Sequence, residues 1–393
     1  MEGGRKMNVV ISKEIRVLSL AFLFLFAAFD AVQQYVTTFF SQAGLPTIGF
    51  TSLILVYLFF ILSDPLSAIF VSKNGAKKSM IVGVIFYALF IFVLTTKVIL
   101  LMYAASILLG IGASLLWTGQ NTYLVRATKK KSRGTNAGFF GRSLYLGSAI
   151  GTIILGFFIS KFSYQWSFLF AAFLPCISLF LLTKLKDLRS EGAKNHLLLL
   201  QRALTSKTAW RLSTIWFATF FINGLAIGRI PIEIKNIMGT NYIGYLSSLF
   251  YVMPILFTFW LGKLSDARGR KVMLLFAFLL SLVGLISLYF SHQAILLVIG
   301  IVFIALYFSM MYPSTLALVG DVATKNNLEY LTAFFWMMRN VGVVSALVLS
   351  AFIQTKAIYI ISIAALAISI IILMPLLMSG FPAIKRQISR EMA

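Results

Sequence analysis

A chain of 393 residues that is 60% hydrophobic and 11% charged, with a mean hydropathy of +0.94, is excluded from the soluble globular class, because its apolar runs exceed the ~18 residues that mark a membrane-spanning helix. The net charge of +23 would suit a nucleic-acid binder, but the basic residues gather in the short segments between apolar runs and are read as a topology signal instead. Cys176 is the one cysteine, so no intrachain disulfide can form, and His196 and His292 are isolated; no metal site, cofactor or catalytic constellation is expected.

Twelve spans follow in order, each bounded by charge or turn residues. The first six run over about 16–41, 48–72, 79–96, 98–125, 136–160 and 164–183. A segment over 184–208 contains Leu197-Leu-Leu-Leu-Gln-Arg-Ala-Leu204, which fits a short helix on the membrane surface. The last six cover about 209–230, 242–263, 271–290, 293–319, 330–354 and 357–378. With Met1 assigned to the cytoplasm, the outside loops hold only Lys97, Lys161, Arg229, Lys235 and Lys356 among the basic residues. That asymmetry places both termini in the cytoplasm of a multi-pass cell-membrane protein, with the basic loops facing anionic headgroups.

The expected domains are a six-helix bundle over 1–183, a linker over 184–208 and a second six-helix bundle over 209–393. The stretch Gly262-Lys-Leu-Ser-Asp266-Ala-Arg-Gly269-Arg270-Lys271 has a fainter copy half a chain earlier, in Ala68, Ser72, Lys73, Gly75, Lys77 and Lys78. Ala127-Thr128 parallels Ala323-Thr324, and Phe139-Phe140 before Arg142 parallels Phe334-Phe335 before Arg339. The fold class is therefore an all-α membrane protein of twelve helices in two pseudo-symmetric bundles, a plan that puts a binding site near the midplane between them. Spans three, nine and twelve lack interior amides and charges and span six has only Gln165, so these four are expected to pack outward; a charge facing lipid would cost several kcal/mol.

The motif Gly262, Asp266, Gly269, Arg270, Lys271 resembles the loop signature of the major facilitator superfamily. The resemblance implies transport by alternating access and a gating role for these five residues, with Asp266 helping to hold the two halves together on the inner side in the outward-open state. In the first copy Ala68 and Ser72 replace the glycine and the acid, which puts that carry-over in doubt.

Polar residues inside the spans supply the candidate site. Asp30, Gln33, Gln34, Thr37, Thr38 and Ser41 form one helical face of span one, with ligand contact, proton coupling through Asp30, or a structural pair with an arginine left open. In span four Trp117, Gln120 and Asn121 are candidates for substrate contact, against the reading that Trp117 and Tyr123 anchor the interface. Asn223 stands in span seven. Arg142 could snorkel back to the cytoplasm, whereas Arg339, with Trp336, Asn340 and Val343 on its face, lies deeper. A guanidinium needs a carboxylate, a carbonyl or an anionic ligand. Two options stay open: a cavity for an organic anion, or salt bridges to Asp30, Asp64 or the inner-loop acids.

Span one, with Leu23-Phe-Leu-Phe-Ala-Ala-Phe29 and Gln33-Gln34, and the span-four stretch from Gly110 to Leu124 further resemble the Unc (uncoordinated) group of the superfamily. That resemblance implies a rival role as a membrane regulator or scaffold without turnover. Span four lacks the membrane arginine of many proton-coupled members, and the span-five glycines Gly141, Gly147, Gly151 and Gly156 lack the Gly-Pro pairing of many antiporters. The partners expected are thus a small-molecule substrate, a proton as candidate coupling ion, and the lipid bilayer; the chain is expected to be a monomer, not an enzyme, and to bind no nucleic acid.

Overall fold

The computed structural model describes residues 11–42, 46–96, 98–188, 195–239, 242–353 and 356–392. Lys97 lies outside the described residues, as do the side chains of Thr37, Thr38 and Ser41. Among the described residues, twelve helices are long and apolar enough to cross a membrane. Spans one to five are Lys13–Gln42, Pro46–Asn74, Ala76–Leu94, Ile99–Ala127 and Arg133–Lys161. Span six is Tyr164–Ala171 continued by Leu174–Thr183, and span seven is Lys207–Gly228 continued by Ile230–Met238. Spans eight to twelve are Tyr242–Ser247 with Leu249–Arg268, Arg270–Tyr289, Ala294–Val322, Leu328–Phe352 and Ala357–Ser379. Among the described residues two short α-helices remain, a linker helix His196–Thr205 and a C-terminal helix Phe381–Glu391, with a single 3-10 turn at Lys130–Ser132. Helices dominate because hydrocarbon offers no partner to a free backbone N–H or C=O.

Each bundle owns a core. One cluster gathers buried side chains of spans one to six and borrows only Leu316 and Trp336 from the other half. The second gathers spans seven to twelve with the linker and C-terminal helices, and borrows Ala68 and Val125. Spans three, six, nine and twelve pack on neighbours of their own bundle, as their apolar interiors imply. The seam between bundles is made by span two on eleven, five on eight and ten, and four on eleven. Pairs two–eleven and eight–five are each other's pseudo-symmetric equivalents.

Both described ends of the chain lie on one face, called here the terminal face. Glu14 reaches Lys186 just after span six at 3.5 Å. At the other end, Glu391 accepts hydrogen bonds from Ser206 Oγ at 2.5 Å, Thr208 N at 3.1 Å and Thr208 Oγ1 at 2.6 Å, tying the C-terminal helix to the start of span seven.

The structure revises two boundary readings. Span seven does not end at Ile230: it restarts with Pro231 in its first turn, where a missing N–H is harmless. Arg229, taken from sequence as a loop residue, is therefore buried and pairs with Glu233 one turn on at 2.5 Å. Of the prolines inside spans, Pro65, Pro254, Pro313 and Pro375 sit in continuous helices, while Pro175 follows the break between Ala171 and Leu174.

The glycines of span five act as a packing surface. A Cβ on Gly147 or Gly151 would collide with the backbone of span one at Leu23 or Ala27, so the two helices meet backbone to backbone along a small-xxx-small stripe. Gly151→Val is expected to destabilise the protein by about 1–3 kcal/mol through forced separation of spans one and five. A thermal melt in detergent that matched the wild type would contradict this packing role.

Candidate functional site

The bundles are locked together near the terminal face by a network centred on two acids. Asp266, at the end of span eight, accepts from Gly134 N at 2.9 Å, Thr135 N at 2.6 Å and Thr135 Oγ1 at 2.7 Å, all at the start of span five. Its other partner is Arg270 of its own bundle, at 2.7 Å. The exposed N–H groups of a helix start favour an anion there, which is why a carboxylate suits this place. Asp321, at the end of span ten, is held by Arg133 of span five at 2.7 Å and by Arg270 at 3.1 Å. Arg126, at the end of span four, pairs with the buried Glu329 at the start of span eleven.

Those last two inter-bundle pairs are related by the pseudo-symmetry with the charges exchanged. Where the first half ends span four in a cation, the second ends span ten in an acid; where the second opens span eleven with an acid, the first opens span five with a cation. Spans five and eight could not approach so closely without Gly134 and Gly262, since a Cβ on either would strike the other's backbone. Gly269 takes φ +89° in the turn from span eight to nine, and Gly75 takes φ +88° at the equivalent turn of the fainter copy. Lys271 is exposed.

Deeper, the spans part and leave a crevice. Asp30, Gln33, Tyr57, Tyr145, Asn223, Tyr312 and Arg339 are all only half-buried although they sit mid-span. Its floor is aromatic: Trp117 of span four and Trp336 of span eleven meet across the seam with ring centroids 4.9 Å apart. The Arg339 guanidinium lies 4.1 Å from the Phe220 ring, 4.4 Å from Trp336 and 5.7 Å from Trp117. Such stacking holds a cation in a fixed orientation without using its N–H donors. Among the described residues no carboxylate lies within ion-pair distance of Arg339, and its Nε has no acceptor. Asp30 instead accepts from Ser148 Oγ at 2.5 Å.

The candidates divide. Asp30, Gln33, Trp117, Asn223, Trp336 and Arg339 gather around the crevice, Asn223 one turn beyond Phe220 on the same face of span seven. Gln34, next to Gln33, is exposed. Gln120 and Asn121 are fully buried below the floor, where Gln120 Oε1 and Nε2 and Asn121 Oδ1 have no hydrogen-bond partner. Arg142 does not join: it is exposed, in line with Leu146, Ile150 and Ile153 on the outer side of span five. The reason lies in register. Measured from the paired phenylalanines, Arg339 comes two residues later than Arg142, and two residues turn an α-helix by about 200°.

Sequence reasoning missed Arg133, Thr135, Asp321 and the Arg126–Glu329 pair, whose signal was charge standing at both edges of matching spans. It named Asp64 only as a partner for an arginine. The structure gives Asp64 other partners: Ser114 Oγ donates to it at 2.8 Å and Asn340 Nδ2 at 3.3 Å.

The linker helix braces the seam from below, with His196 Nδ1 2.7 Å from the hydroxyl of Tyr330 in span eleven. Burial, then the nearby charge of Lys73, lowers the His196 pKa from its ordinary 6.5. The folded state thus binds this proton more weakly than the unfolded one, so the contact is fully present above the ordinary value and is lost as pH falls through the lowered one. Protection of the 196–205 amides, corrected for the intrinsic exchange rate at each pH, is expected to fall as pH drops below about 6.5. A His196→Gln variant with the same pH response would refute the assignment.

Comparison with known proteins fits this geometry. The profile of the Major Facilitator Superfamily matches residues 17–241 and again 217–392. The chain belongs to the Major Facilitator Superfamily. Solved superfamily structures overlay nearly the whole chain. A proton:xylose symporter, XylE, superposes at TM-score 0.76 with 13% identity, covering 93% of this chain and 96% of that one. A bacterial homologue of ferroportin in an outward-facing state gives 0.78 with 12% identity, over 93% and 99%. The human organic anion transporter MFSD10 gives 0.72 with 13% identity, over 92% and 98%.

Curated superfamily relatives match over a shorter stretch. UNC93-like protein 3 of Arabidopsis thaliana is 30% identical over 140 residues, 36% of this chain and 28% of the relative. The putative potassium channel regulatory protein unc-93 of Caenorhabditis elegans is 32% identical over 124 residues, 31% and 17% respectively. The chain thus aligns with less than a third of the length of either.

Proposed function

We propose that the protein is a secondary active transporter that moves a small organic anion by alternating access, with Arg339 as the anion anchor and the face that carries the chain ends in the cytoplasm. The observation that carries the reading is a mid-membrane guanidinium caged by three rings and, among the described residues, with no carboxylate within ion-pair distance. A charge so placed is costly unless something completes its hydrogen bonds, and a ligand carboxylate fits a two-pronged donor. The rings favour a flat, apolar body beside that carboxylate. The ionic network supports a resting state closed to the cytoplasm, with Gly262, Asp266, Gly269, Arg270 and Lys271 forming the gate, and Asp30 facing the crevice as a candidate coupling group.

The test uses benzoate and benzamide, equal in shape and different in charge. Purified protein is expected to be stabilised by benzoate in a thermal-shift titration and not by benzamide, and proteoliposomes to take up labelled benzoate under an imposed proton gradient faster than protein-free liposomes, which admit the neutral acid by diffusion. Equal responses to both compounds would overturn the anion reading. The second reading, a non-transporting regulator, is favoured by the likeness to unc-93 of Caenorhabditis elegans, a putative potassium channel regulatory protein. It predicts no flux of any solute across reconstituted membranes together with co-purification of a partner protein.

A further inference from the structure

Asp64 is fully buried in span two, eight residues before the Ser72 of the fainter motif copy. Ser114 of span four serves one carboxyl oxygen at 2.8 Å and itself lies 2.6 Å from Ser67 Oγ. The other oxygen meets the Asn340 amide at 3.3 Å, and Asn340 belongs to span eleven of the opposite bundle. Among the described residues no cation lies within ion-pair distance of Asp64; Arg339 is the one charged group whose field reaches it. Among the described residues, the groups hydrogen-bonded to it are the Ser114 hydroxyl of span four and the Asn340 amide of span eleven, with Ser67 of its own helix behind Ser114. An ionised carboxylate in such a place is strongly disfavoured, whereas a protonated one is tolerated.

Asn340 adds a second observation. Its Oδ1 is buried without a donor. The two ends of an amide are assigned rather than seen, and with the amide turned over, Oδ1 would stand where a carboxyl O–H could donate to it. The turned amide puts Nδ2 where Oδ1 stands now, so a proton on Asp64 gains an acceptor across the seam while one end of the amide still lacks a partner among the described residues.

We infer that Asp64 is a proton-binding site that ties closure of the seam to proton uptake. With the bundles closed at the terminal face, Asp64 is shut away as the neutral acid, hydrogen-bonded across the seam to Asn340. When span two parts from span eleven, the Asn340 contact breaks and water enters. The carboxyl O–H bond is then cleaved, the electron pair stays on Asp64 as carboxylate, and the proton passes to that water. By linkage, acid favours the closed seam and each pH unit shifts the closed-to-open ratio by up to about tenfold. Asn340 is the neighbour of Arg339, so one helix carries both the proton-linked contact and the anion anchor. The inference rests on the alternating-access reading above, but not on which solute is carried.

Two ligand-free measurements on the full chain test it. Infrared spectroscopy at neutral pH is expected to show a protonated-carboxyl C=O band that disappears in Asp64→Asn and survives in Asp30→Asn. Spin labels at Lys78→Cys and Lys325→Cys, exposed on the two bundles at the terminal face, in a Cys176→Ser background, are expected to show a longer-distance population growing as pH rises. In Asp64→Asn, which stays neutral and keeps an amide for Ser114 and Asn340, the distances are expected to be independent of pH over that range. The His196 contact responds in the opposite sense, since acid weakens it. An unchanged carboxyl band in Asp64→Asn would overturn the inference, as would a distance response that follows the wild type. Neither result would touch benzoate binding at Arg339, so the two readings fail separately.

Discussion

Arg339→Gln is expected to weaken benzoate binding by roughly 30-fold or more while leaving the fold intact. Removing one member of a desolvated, hydrogen-bonded charge pair costs about 2–5 kcal/mol, and 1.4 kcal/mol is a factor of ten in affinity. Among the described residues the side chain makes no hydrogen bond, so its removal breaks none there. It loses only stacking on Phe220, Trp336 and Trp117. Arg339→Lys separates charge from shape. Lysine keeps the positive charge but neither the planar fork nor the ring stacking, and an intermediate loss is expected. Calorimetric titration of the three proteins with benzoate gives the ranking directly. If Arg339→Gln bound benzoate as the wild type does, the crevice would have no anion anchor. If Arg339→Lys bound as tightly as arginine, the rings would be mere packing.

Much of this arrangement is written in the order of residues, because membranes impose a strong grammar. Lipid forces runs of apolar residues, charge asymmetry orients them, and the duplicated Gly-Asp-Gly-Arg-Lys turn announces two halves. Span ends came within a few residues, except where Pro231 restarted span seven and carried Arg229 into the helical extension. What the chain order hid was pairing. Asp266 stood out in the motif, but its partners Gly134 and Thr135 are ordinary loop-edge residues until span eight lies against span five. Asp321 and Glu329 likewise look like solvated termini until Arg133 and Arg126 are set beside them. Register decided the rest: Arg142 and Arg339 follow similar phenylalanine pairs, yet a two-residue difference turns one outward and the other into the crevice. Asp64 shows the opposite limit. Its burial was visible, but only the fold reveals Asn340, and not an arginine, as its partner across the seam.

Asp266→Ala is expected to shift the protein toward the state open at the terminal face by roughly 100-fold in the closed-to-open ratio. In the closed state the carboxylate satisfies two backbone N–H groups, one hydroxyl and the Arg270 guanidinium. Breaking a buried pair by removing one partner costs about 3–5 kcal/mol. The open state loses little, because water replaces those bonds once the bundles separate, so most of the penalty falls on closure. Arg270 keeps Asp321, which sets the lower end of the range. The Arg126–Glu329 pair gives an independent check, since its pseudo-symmetric counterpart already runs with the charges exchanged. Arg126→Glu and Glu329→Arg should each open the seam alone, through like charges facing each other across it. The double variant should regain most of the closure, as a double-mutant cycle would report. The Lys78–Lys325 label pair reads all four proteins. A double variant as open as the singles would mean that the second half's choice of acid at both edges reflects local surroundings, and that the charge-exchanged symmetry plays no part in holding the bundles shut.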